Sequence, residues 1–273
     1  MSSFMILLKK NLLEMIRNKR VLIFGIVFIM IAIISALSAK YLPDIINSLL
    51  EGMEEQIGIT FILKASVAES YVQFISNIGQ IAVLLVGILF ASSISKEKSK
   101  GTYNDLITRG VKDKHIVLAH FVSQIIVITV SFLLSVAVFV TLNILLFNQI
   151  MGLRGVVALL HLYMLLLATM SFTLFVSCLC KKNSRAYVLV ILGYFGLSFL
   201  EVIPRLNKFN PFHLLTLGTE LMYYANYYIS EHLLTFVVTF IISGGLVALA
   251  LWFSKNRVNN CNKVIQNDHT ERV

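Results

Sequence analysis

Six long apolar runs, separated by shorter polar stretches, dominate the pattern along the chain. They cover residues 21–39, 74–95, 115–147, 156–180, 186–203 and 232–253. An α-helix rises about 1.5 Å per residue, so about 20 apolar residues cross the roughly 30 Å hydrocarbon layer of a bilayer. The runs are continuous, without the two-residue alternation of a lipid-facing strand, which predicts spanning helices and not a barrel. The third run is too long for one upright crossing and predicts a helix that tilts or projects beyond the bilayer. The fold class is therefore all-α: a polytopic membrane protein with one transmembrane domain over 1–255 and a polar, flexible tail over 256–273.

The stretches between the runs carry patterns of their own. Phe4, Leu8, Leu12, Met15 and Ile16 recur on one helical face, with Lys10, Glu14 and Arg17 on the other. That predicts an amphipathic helix over 3–19, lying among the lipid headgroups. After the second run, Thr102 and Asp105 have the N-cap and N3 spacing of a capping box, and Gly110 stands where a left-handed residue closes a helix. The prediction is a helix over 102–110 whose apolar face (Tyr103, Leu106, Ile107 and Val111) must be covered by a membrane surface or another protein.

Residues 41–73 are long for a connector, and Ile45, Ile46, Leu49, Leu50 and Met53 place a second amphipathic helix there. Asn210 and Pro211 supply an N-cap and a proline at the first helical position. A short apolar helix begins at 212–217 and is interrupted at Gly218; Tyr223, Tyr224, Tyr227 and Tyr228 then suit the membrane interface.

Composition agrees and adds direction. Of 273 residues, 58% are hydrophobic and 14% charged, where a soluble domain carries roughly 25% charged residues; mean hydropathy is +0.83. A soluble enzyme, a secreted disulfide scaffold and a disordered protein are excluded. The net charge of +9 would suggest nucleic acid in a soluble chain, but the apolar content assigns the basic residues to the membrane surface. Eighteen of the 23 Lys and Arg fall in the N-terminal segment, 96–114, 181–185 and the tail, leaving Lys40, Lys64, Arg154, Arg205 and Lys208 opposite. Cytoplasmic loops collect Lys and Arg, so both termini are predicted in the cytoplasm.

The first run, with small residues Ala36 and Ser38 behind it, has the outline of a signal peptide, but its length and the five spans that follow favour a retained helix. Cys178, Cys180 and Cys261 are odd in number, on the reducing side, and without metal-ligand spacing.

The segment 97–108, Glu-Lys-Ser-Lys-Gly-Thr-Tyr-Asn-Asp-Leu-Ile-Thr, directly after the second run, resembles the Glu-x-x-x-Gly-Thr…Leu-Leu segment of the bacterial ABC-2 type (type V-like) exporter permeases. Six spans, an N-terminal interfacial helix and cytoplasmic termini extend the resemblance over nearly the whole chain. It departs from the family pattern at Ser99, Gly110 and His120. The resemblance implies a coupling helix that docks on a separate ATPase subunit, with Glu97, Gly101, Thr102, Tyr103, Asp105, Leu106 and Ile107 as the docking residues. It also implies re-entrant outer helices over 204–231, a second permease chain, and export across the cytoplasmic membrane. No Gly-x-x-x-x-Gly-Lys-Ser/Thr occurs, so ATP and Mg2+ would be bound by the partner; this chain is expected to hold no cofactor, no metal and no catalytic residue.

Among groups inside the runs, Asn77, Gln80, Gln124 and Asn143 are candidates to line a pathway, although such residues more often bond between helices. His120, His161 and Glu201 lie near the predicted membrane limits. An intramembrane metalloprotease would need a His/Glu set at fixed spacing, which is absent. A proton- or ion-coupled transporter would show internal repeats and midplane acidic residues, and neither is present. The apolar runs without buried charge favour a hydrophobic or amphipathic cargo, best a membrane-active or antimicrobial peptide, with a lipid or drug as the alternative.

Overall fold

The computed structural model describes residues 3–57, 64–203, 205–223 and 229–270, and every regular element among them is helical. Six helical stretches are long and apolar enough to span a membrane: Arg20–Leu49, Val67–Ser99, Asp113–Phe147, Leu153–Leu179, Asn183–Leu200 and His232–Lys255. Helix α1 (Ser3–Arg17) precedes them and turns at Lys19, a non-glycine residue with φ 56, into α2 (Arg20–Ile57).

The second span is built from pieces: α3 (Val67–Asn77), a π-helical turn over Ile78–Ala82, α4 (Val83–Ala91) and α5 (Ser93–Ser99). The short α6 (Thr102–Thr108) leads into α7 (Asp113–Phe147), α8 (Leu153–Leu179) and α9 (Asn183–Leu200). A 3-10 turn over Asn207–Phe209 and α10 (His213–Tyr223) precede α11 (Ile229–Thr270).

Three expectations change. The amphipathic stretch after residue 41 is no separate outer helix: α2 runs unbroken through Pro43 to Ile57. The proline removes one backbone donor, but the long apolar helix on either side keeps the chain helical. Residues 58–63 of the expected outer loop lie outside the described residues. Gly218 does not interrupt α10; a Cβ there would meet Ile75 at 3.7 Å, ordinary contact, so the glycine sits on a packed face inside the helix. The segment 256–270, expected as a flexible tail, continues α11 as helix, because it contains neither proline nor glycine to stop it.

Helix α1 does present an apolar face, but Leu7, Asn11 and Met15 turn it against the bundle, and its main neighbour is α7. Tyr224, Tyr227 and Tyr228 lie outside the described residues.

Helix α8 is the axis of the bundle, packed against α4, α5, α7, α9, α10 and α11. In its most apolar window 67% of residues are buried, against 11% for α9, so α9 is a peripheral helix that presents most of its surface outward. Aromatic pairs fill the core between α2, the second span and α7. Phe24 stacks on Phe90 at 5.0 Å, and Phe74 on Phe139 at 4.2 Å. Polar side chains cross between helices where lipid offers no water: Ser135 Oγ donates to the Phe28 carbonyl at 2.7 Å and Asn77 Nδ2 to Ser35 Oγ at 2.9 Å, each worth about 0.6 kcal/mol.

The π-helical turn lies against α9. Its extra residue loosens the backbone ladder, and the carbonyls of Gly79 and Gln80 accept from the Tyr194 hydroxyl at 3.5 and 3.4 Å. Close approach of α9 to α8 depends on Gly193, where a Cβ would lie 2.3 Å from the Phe172 ring, while at Gly196 nothing lies within 4 Å. Gly193→Ala therefore overpacks the contact and should cost about 1–3 kcal/mol, lowering the thermal midpoint in detergent, while Gly196→Ala should leave it unchanged or raise it.

Candidate functional site

At the end of the bundle rich in Lys and Arg, α5 and α6 form a tight corner. Lys100 closes α5, and Gly101, at φ 80, is the N-cap of α6; the left-handed backbone suits a residue without Cβ. The expected capping box therefore does not form. The Thr102 hydroxyl points back and donates to the Glu97 carbonyl at 3.1 Å, because the glycine corner has moved Thr102 into the first helical turn. The other end follows the prediction. Gly110 is left-handed at φ 82, Gly110 N donates to the Ile107 carbonyl at 2.9 Å, and Val111 N to the Leu106 carbonyl at 3.1 Å, the paired bonds of a Schellman closure.

Glu97 is buried at the root of this corner, 8% exposed. Lys10 Nζ of α1 donates to its Oε1 at 2.6 Å. His120 Nε2 of α7 faces its Oε2 at 3.2 Å, off the ideal hydrogen-bond line. A carboxylate withdrawn from water needs such partners, and here they come from helices before and after the second span. Lys96 approaches Glu14 at 3.7 Å beside them. His120, expected near a membrane limit, thus belongs to this cluster.

Tyr103 is the inward residue of α6, 3% exposed. Its hydroxyl donates to Asp113 Oδ1 at the start of α7 and lies 2.7 Å from Ser254 Oγ of α11. Lys98 Nζ stands 5.2 Å above the Tyr103 ring and donates to the Cys178 carbonyl at 2.5 Å, at the end of α8. Burial, and then the bond to Asp113, push the Tyr103 phenol well above its usual range, so it remains a protonated donor. Leu7, Ile94, Tyr103, Ile116, Leu174 and Ala250 make one apolar cluster here, drawn from six helices.

The residues expected to dock a partner therefore separate. Glu97 and Tyr103 face the interior and hold α6 in place. Thr102 and Asp105 are exposed, with Asn104, Thr108 and Arg109 beside them, and Gly101, Leu106 and Ile107 are half-buried at the edge.

The four candidate lining residues are not brought together. Asn77 is spent on Ser35, and Asn143 Nδ2 donates to its own helix at the Phe139 carbonyl, 2.9 Å away. Gln80 is exposed on the bundle surface, and Gln124 is fully buried in α7 with no hydrogen-bond partner among the described residues. What sequence reasoning missed is an apolar cleft of about 690 Å3. Val83, Gly87, Leu165, Phe172, Gly196 and Ile242 line its walls, Leu206 and Phe209–Phe212 close its far end, and among the described residues no charged residue lines it. Spacing along one helix gives no sign of it, since its wall comes from four.

At the same far end, Asn210 Oδ1 accepts from Phe212 N at 3.1 Å as the N-cap pattern requires, and its Nδ2 donates to the Leu197 carbonyl at 2.7 Å. Tyr223 Oη donates to Glu69 Oε2 at 2.6 Å; that bond first, then burial, push its phenol up to about 12. Thr216 donates to Glu201. His161 Nδ1 lies 2.7 Å from the Val157 carbonyl, and its ring meets His232 edge-on at 5.3 Å. Among the described residues no group of His, Cys, Asp and Glu has the arrangement to hold a metal ion.

His120→Leu should destabilise the protein by about 3 kcal/mol, the lower end for breaking a buried pair because Lys10 still neutralises Glu97. Adding Glu97→Gln to that variant should cost less than the sum of the single changes, read from denaturation in mixed micelles.

A comparison with curated proteins finds no match. The family model described as ABC-2 family transporter protein matches residues 5–254, from the start of α1 to Ser254 at the foot of the last span. With six spanning helices and nearly the whole chain matched, the protein belongs to the ABC-2 family of membrane transporters.

Proposed function

We propose that the chain is the permease subunit of a bacterial ATP-driven exporter of the type V-like kind, in the cytoplasmic membrane with both termini in the cytoplasm, and that a separate ATPase subunit, carrying ATP and Mg2+, drives it. The observation that carries this reading is the asymmetry of α6. One face is fixed to four spans through Tyr103 and its neighbours, while Thr102, Asn104, Asp105, Thr108 and Arg109 stand exposed at the basic end. A two-turn helix held this firmly and left open on the other side is suited to receive a push from a partner and pass it into the bundle.

The cargo is a hydrophobic or amphipathic molecule, best a membrane-active peptide. The uncharged cleft of about 690 Å3 supports it, since an apolar wall gives a charged ion no compensation for lost water. A lipid or drug fits the same wall. A second permease chain, identical or related, pairs with this one; the outward surface of α9 supports that arrangement.

Affinity purification of the tagged chain should recover a nucleotide-hydrolysing partner. Leu106→Asp should reduce its recovery more than about tenfold, as removal of an apolar anchor does at an interface; recovery unchanged by that substitution, or no ATPase at all, refutes the reading. Gly196→Trp should fill the open cleft wall and abolish the tolerance that expressing cells gain toward an exported membrane-active peptide, without loss of the ATPase.

A further inference from the structure

Tyr103 joins more than α6 and its own neighbours. A phenol has one proton to give. The Tyr103 hydroxyl donates to Asp113 Oδ1, and the Ser254 hydroxyl lies 2.7 Å from the phenol oxygen. The result is a hydrogen-bonded chain that joins α11, α6 and α7. All three side chains are withdrawn from bulk solvent or partly so, where such bonds are stronger than in water. Ser254 lies at the foot of α11, the helix that also supplies Ile242 and Leu246 to the cleft wall. At about 1.5 Å per residue those two positions lie about 12–18 Å along the same rigid rod.

We propose that Tyr103 is a positioning residue, a latch through which displacement of α6 is delivered to the foot of α11 and so to the wall of the cleft. The inference rests on the permease reading and adds to it the route inside this chain. Glu97 and its partners fix α6 to α1 and α7, while the Tyr103–Ser254 contact is the polar link from α6 to the foot of α11, beside the apolar packing of Val247, Ala250 and Leu251. Helices packed this closely move as units and not by continuous bending, so loss of one hydroxyl is enough to separate the movement of α11 from that of α6.

The test uses the complex purified with its co-purifying ATPase, carrying spin labels at Leu22→Cys on α2 and Trp252→Cys on α11, both exposed at the basic end. ATP with vanadate should shift the distance between the labels. Tyr103→Phe and Ser254→Ala should each abolish that shift, Ser254→Ala while ATP hydrolysis stays within about twofold; the double variant should be no worse than either, and Ser254→Thr, which keeps the hydroxyl, should restore the shift. A purely structural role would not split hydrolysis from movement or be rescued by threonine. A shift that persists in both single variants, or a wild-type complex that hydrolyses ATP without any shift, overturns the latch.

The chain alone gives a second reading, in vesicles of phosphatidylethanolamine and phosphatidylglycerol. Tyr103→Phe should speed amide exchange at 248–255, and Ser254→Ala at 103–108; exchange that stays local to each substitution overturns the latch whatever the ATPase does. Failure of Leu106→Asp to release an ATPase would instead refute the permease reading and leave this exchange test standing.

Discussion

A carboxylate cannot be taken out of water at the edge of a hydrocarbon layer without cations or donors to meet it, and the arrangement of the basic end follows from that constraint at Glu97. Lys10 must reach in from α1 and His120 from α7. This draws an otherwise lipid-resting helix onto the bundle and ties the end of the second span to the start of the third. With that corner fixed, Gly101 turns the chain, α6 lies where Tyr103 enters the interior, and the outer surface of α6 is left open. The same charge that is costly to bury thus determines which side of the short helix is available to a partner.

The bundle that this corner serves is organised around α8. Its neighbours on one side, α4 and α9, and on the other, α11, leave the apolar cleft between them, closed at the far end by Leu206 and Phe209–Phe212. Gly193 brings α9 close to α8, while Gly196, one helical turn further, stays open to the cleft. One glycine serves contact and the other space. A π-helical turn in the second span, bonded from α9 by Tyr194, marks the level at which that span changes neighbours. The proposed cargo wall runs along the middle of the spans toward Phe209–Phe212, and the proposed partner surface lies apart from it, on α6 at the basic end.

Much of this was legible in the chain because a membrane simplifies the code. Backbone groups in lipid must bond internally, so an apolar run of the right length is a helix. Hence the six spans, α1 and the Gly110 closure follow from composition and spacing. Where elements end was harder. The helical continuations through Pro43 and beyond residue 255, and the uninterrupted α10 at Gly218, depart from local signals that weigh less than the helix around them. Thr102 and Asp105 had the spacing of a cap, yet Gly101 took the position, since a left-handed corner selects the residue without a side chain.

The sequence by itself determined what periodicity and charge can carry: the six spans, the basic end and the short helix after the second span, with the motif at 97–108 pointing to the family. Only the tertiary structure decided which side chains of that motif face inward. Glu97 and Tyr103 read as surface residues in the linear pattern, and their partners Lys10, His120, Asp113 and Ser254 are scattered over three other helices. The cleft was decided there too, because its wall is shared among helices distant in sequence. One helix face can be read from spacing along the chain; the meeting of several faces depends on how the helices pack.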